Sequence, residues 1–493
     1  MRSEQQERLE RFLEDVDEQI SYRPIHAAVN EELRAHVEDK AEVYMEYGVE
    51  EDEAYDKAIR DMGDASVIGI EMNATHHIRM AKPLLFSLLG LLCLGIIGNF
   101  VDRGFSLWEI SYNGYFLWGL IVLMLVALYG YPLLLKHTGK ILILLGAAGV
   151  LFAVGRILIL DTGMIMPFII GFDPNSPSVV FGILQLAIPV SVVLLYRSRH
   201  QGVRSLLLIG GVQLLLLGFI GYCYFWGYAD VAFLTFLFSC LGAELYMVGK
   251  GYLNADKKKG FGTAIACFLI LITVWAGVQR EQVYKELELF INPEAQTESP
   301  WEDGYNNVLI RELLGRAKGI GKIELSQEEL VRYRTAQWYY EDGPGVWGGN
   351  GINRTLEDYV DYRMQYQYPY ELELLDILPQ HYHNNYRIAR WILQYGWLPG
   401  IVLTLFLCTA YGFLFITAFR IRNRLGRIVA LSGSLAIGIQ FLFYLLGNFG
   451  CQFGMFGNLP FVSEGLASIT GSALMAGLIL SAYRFDTVVT ETE

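Results

Sequence analysis

The sequence has little charge, few cysteines and no long basic stretch, and each shortage narrows its function. Charged residues make up 18% of its 493 positions, whereas apolar residues make up 53%. A soluble chain of this length would cover its core with a far more charged surface. Acidic residues outnumber Lys and Arg by 51 to 38, a formal charge of −13. Without a large basic patch there is no surface for the phosphates of nucleic acid. The six cysteines, Cys93, Cys223, Cys240, Cys267, Cys408 and Cys451, fall mostly in apolar runs. They show neither metal-ligand spacing nor a disulfide framework. Cys223 and Cys451 both fall near one predicted surface, and a bridge between them is the minor alternative. The first seventy residues are charged and helix-patterned, unlike a cleavable signal peptide.

What the chain does have is a series of apolar runs near twenty residues long. At 1.5 Å per helical residue they match the roughly 30 Å hydrocarbon layer. Lipid cannot hydrogen-bond an open backbone, so the runs are expected to be helices. They fall at 81–100, 114–135, 140–158, 177–196, 205–224, 229–248, 261–278, 388–418, 428–448 and 464–483. Cations cluster in alternate connections: Arg79 and Lys82; Lys136 and Lys140; Arg197, Arg199 and Arg204; Lys250 and Lys257 to Lys259; Arg420, Arg422, Arg424 and Arg427; then Arg484. The positive-inside rule puts these connections in the cytoplasm, with both termini. The fold class expected is an all-α polytopic membrane protein with about ten transmembrane helices, a small cytoplasmic helical head and a large extracellular loop. The divisions are a head over 1–78, a membrane domain over 79–485 containing the loop at 279–387, and a cytoplasmic tail over 486–493.

In the head, Leu9, Phe12, Leu13, Val16 and Ile20 recur at helical spacing, as do Val29, Leu33 and Val37. Ala54, Ala58 and Ile59 mark a further helix between Gly48 and Gly63. His36 with Glu32 and Asp39 suggests a metal site less strongly than a solvated helix face. The 279–387 stretch is far longer than an ordinary connection, which favours a functional role. Its Trp347–Gly351 turn and its Tyr- and Gln-rich run from Tyr362 to Tyr370 suit either an interfacial, substrate-facing surface or simple packing over the membrane.

Three separated stretches carry a resemblance. The first is Phe290-Ile291-Asn292-Pro293, then Asp303-Gly304-Tyr305-Asn306, then Ala317-Lys318-Gly319-Ile320-Gly321. The second is Leu378-Pro379, His383-Asn384-Asn385-Tyr386 and Gly396. The third is Asn448 followed by Leu459-Pro460-Phe461-Val462-Ser463-Glu464-Gly465. Their order and their placement around the runs resemble the SEDS (shape, elongation, division, sporulation) family, also called the FtsW/RodA/SpoVE family. The head lies outside that resemblance. Its Glu31-Glu32-Leu33-x-x-His36 and Ala58-Ile59-x-x-Met62-Gly63-Asp64 resemble a small prefix domain attached to some bacterial permeases.

The resemblance implies a bacterial plasma-membrane protein of cell-wall synthesis, active in division, cell shape or sporulation. It implies a peptidoglycan glycosyltransferase that polymerises a lipid-linked cell-wall precursor beside a class B penicillin-binding transpeptidase. Membrane lipids are the other partner. The family's key Asp is matched here by Asn385, whose amide cannot take a proton. Loss of an acid–base group typically costs about 10² to 10⁴ in rate. His381, His383, Glu373 and Asp376 are the candidates to compensate, although a wetted loop end explains the histidines equally simply. Arg387 and Arg390 could clamp a pyrophosphate or merely snorkel at the interface. Tyr305, Pro460, Ser463 and Glu464 complete the substrate-binding candidates, Glu464 having the alternative of capping a helix. No cofactor is called for, and a divalent cation is left open. Two further readings stand beside the enzyme: a non-catalytic scaffold or lipid-precursor-binding regulator, and a lipid flippase that only the number of runs supports.

Overall fold

The computed structural model describes residues 3–20, 23–75, 78–103, 107–162, 177–223, 230–278, 280–292, 303–342, 360–361, 364, 371–379, 382–454 and 458–488. Among these there is helix and no strand. The head is built from α1 (Ser3–Gln19), α2 (His26–Glu46), α3 (Glu51–Met62) and α4 (Ala65–Thr75). Its core is the helical-period set: Leu9, Phe12, Leu13, Val16, Ile20, Val29, Leu33 and Val37 are buried together with Ala58. Removing these apolar faces from water drives the pairing of short helices that would not hold alone. His36 is exposed on α2.

The membrane domain begins with α5 (Lys82–Arg103), α6 (Leu107–Thr162), α7 (Pro177–Arg197), α8 (Val203–Cys223), α9 (Asp230–Gly249) and α10 (Lys257–Val278). The loop contributes α11 (Arg280–Ile291), α12 (Asp303–Arg316), α13 (Gln327–Asp342), α14 (Leu374–Ile377), α15 (Tyr382–Asn385) and α16 (Arg387–Tyr395). Then α17 (Trp397–Arg420), α18 (Arg424–Asn448) and α19 (Leu466–Arg484) return to the membrane. Among the described residues, seven helices are long and apolar enough to cross a bilayer, and α7 and α8 contain shorter apolar stretches. The 56 residues of α6 would be about 84 Å long if straight, nearly three hydrocarbon thicknesses. Its backbone leaves helical geometry at His137 (φ −118°, ψ 16°), between Lys136 and Lys140. The two runs read there from sequence are therefore two crossings joined at a break. Counted so, the apolar passes among the described residues number ten.

Side-chain contacts sort the connections onto two ends. Arg79 N–H donates to the Arg484 carbonyl, and Asp486 Oδ1 accepts from the Arg422 and Asn423 amides at 2.6 and 2.7 Å. Tyr131 Oη donates to Asn423, Arg197 to the Leu135 carbonyl, and Asn254 N–H to the Arg199 carbonyl. The short cation-rich connections meet at this end. The described helices of the 279–387 loop lie at the other, where Asn307 and Gln452 exchange hydrogen bonds and Glu286 Oε2 accepts from Gly454 N–H at 2.9 Å. Between the ends, α7, α9, α18 and α19 pack on one another, and α19 lies along α6. Gly477 makes that approach close, because a Cβ there would sit 2.7 Å from Val126 Cβ. Among the described residues, the buried carboxylate within the bundle is Glu244 of α9, accepting from Gln213 of α8 at 3.2 Å.

One expectation needs correction. The long run 388–418 is two helices, α16 and α17, divided at Gly396 (φ 101°). The apolar pattern continues through the break, so periodicity alone cannot show it. A Cβ at Gly396 would lie 2.6 Å from Ile320 Cα, and the 318–323 segment hydrogen-bonds the backbone of 393–398. The bridge considered for Cys451 is not made: Cys451 is a free thiol, 3.3 Å from Arg311 Nη2. Within the loop, Arg316 pairs with Glu329 at 2.7 Å, and Tyr333 donates to Glu312. Burial, then that carboxylate, pushes the Tyr333 phenol up to about 12. The Trp347–Gly351 turn, His381 and nearly all of the Tyr362–Tyr370 run lie outside the described residues.

Candidate functional site

Where the loop rejoins the bundle, polar side chains from four parts of the chain form one knot. The chain reaches it through α15, a single turn after Pro379, whose His383 and Asn384 meet the 458–465 segment. His383 Nε2 lies 3.3 Å from Glu464 Oε1. Asn384 Oδ1 accepts from Glu464 N–H at 2.9 Å, while its Nδ2 donates to the Glu464 carbonyl at 3.1 Å. The reciprocal pair locks Glu464 to α15. Ser463 Oγ and Tyr444 Oη both donate to the Asn384 carbonyl at 3.0 Å, and Ser463 Oγ also accepts from Leu459 N–H. The Pro460 carbonyl accepts from Tyr411 Oη at 2.7 Å. Phe461 next to it holds φ at 65°, an uncommon and costly value for a large residue.

Arg387 opens α16 beneath this contact. Its residue is 3% exposed, so it does not snorkel; its Nη2 donates to Asn99 Oδ1 at 2.9 Å and its Nε to the His383 carbonyl at 3.1 Å. Asn99 in turn donates to Glu464 Oε2 at 3.3 Å. Thus α5, α15, α16 and the 458–465 segment enclose one guanidinium, one carboxylate and one imidazole. Arg390 is also buried, its guanidinium 5.3 Å from the centroid of the Tyr382 ring. Asn448 completes the base of the knot. Its Oδ1 accepts from Ile388 and Ala389 N–H at 3.0 Å each, and its Nδ2 donates to the Asn385 carbonyl at 2.9 Å.

Next to the knot, a narrow apolar crevice of about 10 Å³ is lined by Leu94, Gly98, Arg387, Trp391, Leu403 and Val462, among others. It runs between α5 and α17, whose outward residues Ile97, Leu398 and Val402 are exposed. Gly98 is required by the fit: a Cβ there would lie 2.0 Å from Arg387 Nη1. Chemically, this is a narrow apolar crevice with Arg387 at its polar end. The adjacent carboxylate–imidazole pair is suited to moving a proton.

The expected residues divide clearly. His383, Arg387, Ser463 and Glu464 converge on the knot, and Pro460 contributes a backbone acceptor to the same segment. Asn385 lies half-buried in α15, where its carbonyl, rather than its amide, is bonded. Asp376 stands apart. It is exposed and closes a capping box on α14, accepting from Glu373 N–H at 2.8 Å. Tyr305 is buried in the loop and donates to the Tyr333 carbonyl at 3.3 Å. The link from that region runs through Asn307 instead, which holds Gln452, whose Oε1 accepts from Tyr386 Oη at 2.8 Å. Sequence reading missed Asn99, Tyr444 and Gln452. The only local signal was a lone amide in the apolar run of α5. Among the described residues no three His, Cys, Asp or Glu side chains converge.

No protein-family model and no curated protein matches the sequence. A chain from a solved structure described as "Structural coordination of polymerization and crosslinking by a peptidoglycan synthase complex" is similar at a TM-score of 0.48 and 16% identity. The match covers 83% of this chain and 98% of that one.

Proposed function

We propose that the chain is a divergent SEDS-type protein of bacterial envelope growth that binds a lipid-linked, pyrophosphate-bearing cell-wall precursor. The observation that carries this reading is the joining of two of the resembling stretches. His383 and Asn384 bond the Ser463-Glu464 pair, with Asn448 beneath, all around buried Arg387. The first stretch meets the second at Gly319 to Gly321 against Tyr395 to Leu398. The exposed apolar face of Ile97, Leu398 and Val402 beside the crevice suits a polyprenyl tail, and Arg387 suits the first phosphate. In this reading Glu464 orients and polarises His383, which takes the proton from the attacking sugar hydroxyl. Arg387 stabilises the departing pyrophosphate. The positive-inside rule puts the cationic end and both termini in the cytoplasm, so the knot works at the outer face of the plasma membrane. A class B penicillin-binding transpeptidase is the expected partner in any role in division, shape or sporulation.

The test supplies purified protein, with and without a candidate transpeptidase, with labelled lipid-linked disaccharide-pentapeptide. Glycan polymer is expected. His383→Ala and Glu464→Gln each should lower the rate about 10²- to 10⁴-fold with little loss of precursor binding, whereas Arg387→Ala should weaken both. Asn385 favours a second reading. An amide at the family's carboxylate position suits a regulator that holds the precursor without polymerising it. Binding that persists in the absence of polymer, even with the partner present, would select that reading.

A further inference from the structure

The first helix of the loop has an apolar stripe that neither the bundle nor the knot uses. Helix α11 starts at Arg280, and the membrane-crossing α10 ends at Val278. At 100° per residue its side chains fall into three sectors. Val283, Glu286 and Leu289 are buried against the protein. Glu281, Lys285 and Glu288 form a charged sector. Between them, Tyr284, Leu287 and Ile291 share an arc of about 60° and are 70%, 45% and 78% exposed.

The helix runs across the end of the bundle rather than out into solvent. It leaves from α10, and its Glu286 and Phe290 reach Gly454 and Phe453, which follow α18. Helix α9 packs against both α10 and α18, so α11 bridges over it. The stripe also continues an apolar surface. Ile265, Leu269, Ile270, Val274 and Val278 on α10 are all exposed, which within a bilayer means facing lipid.

We infer that α11 is an interfacial lipid-binding helix, its Tyr284–Leu287–Ile291 stripe seated at the headgroup–acyl boundary of the leaflet on the loop side. Tyrosine suits that boundary, its ring in the apolar layer and its hydroxyl in the wet one. Arg280 at the start of the stripe can reach headgroup phosphates. The occupant is phospholipid, because the stripe is continuous with a lipid-facing surface and begins at membrane level. The seat connects to the knot. Gly454, latched by Glu286, has its carbonyl held by Gln452, which accepts from Tyr386.

The inference is independent of the proposed precursor chemistry. The experiment uses the full chain without its native cysteines, carrying single cysteines at Leu287, Ile291 or Glu281, each bearing a polarity-sensitive dye. The protein is reconstituted in phosphatidylethanolamine–phosphatidylglycerol vesicles. At 287 and 291 blue-shifted emission is expected, quenched by lipids brominated near the top of the acyl chain and shielded from aqueous iodide. At 281 the pattern should reverse. Equal iodide quenching at all three positions would overturn the inference. So would shielding at 287 and 291 that requires an added partner protein, since that would make the stripe a protein interface. These positions are exposed, so folding is not at issue; unchanged helical circular dichroism in each variant confirms it.

Discussion

Asn448 uses both halves of its amide on the backbone of another segment. Its oxygen satisfies the first N–H groups of α16, which have no acceptor within their own helix, and its nitrogen satisfies the Asn385 carbonyl. Asn448→Ala should therefore destabilise the protein by about 1–3 kcal/mol for each buried group left orphaned, read as a lower thermal midpoint in detergent. Asn448→Asp keeps the acceptor, loses the donor and should fall between the two. An unchanged midpoint for Asn448→Ala would mean that the knot is not a structural unit. At this scale the sequence was readable only where a motif surrounded the residue. His383 and Glu464 stood out that way. Asp376 looked like a catalytic carboxylate, because Glu-x-x-Asp before a short turn reads alike whether it caps a helix or does chemistry. Asn99 and Tyr444 owe their importance to neighbours hundreds or tens of positions away, and nothing local announces them.

Among the elements, the break between α16 and α17 does most to position the site. With φ at 101° and ψ at 170°, Gly396 occupies backbone space that is essentially closed to other residues. It turns α16 so that Arg387 and Arg390 point into protein and not into lipid. Gly396→Ala should cost about 1–3 kcal/mol from backbone conformation, and more from the collision with Ile320 and Gly319. Undocking of the 318–323 segment should appear as faster hydrogen exchange at Ile323, whose amide bonds the Leu393 carbonyl. Unaltered exchange there would show that the segment is held by other means. The crossings themselves were easier to read. A run of twenty apolar residues has a single solution in lipid, while a bend inside such a run leaves hydropathy untouched. The head was equally readable, since its buried residues repeat at the helical period.

For the whole molecule, charge and contacts divide the ends in the same way. The short cation-rich connections gather at one end, tied together through Asp486, Asn423, Arg197 and Arg199, and the described helices of the loop and the polar knot occupy the other. The contacts owe nothing to the positive-inside rule, yet they pair the connections that the rule assigns to one compartment. If the rule holds, the buried guanidinium and the apolar face beside it lie outside the cell, where the proposed polymerisation would take place. This can be checked on a cysteine-free background with a membrane-impermeant maleimide and right-side-out spheroplasts. Glu324→Cys, on the exposed loop, should label in intact cells, and Lys258→Cys, at the opposite end, only after lysis. The reverse result would place His383, Glu464 and Arg387 on the cytoplasmic face. A precursor could then still bind beside the crevice, but polymerisation outside would be excluded and handling of the lipid from within would take its place.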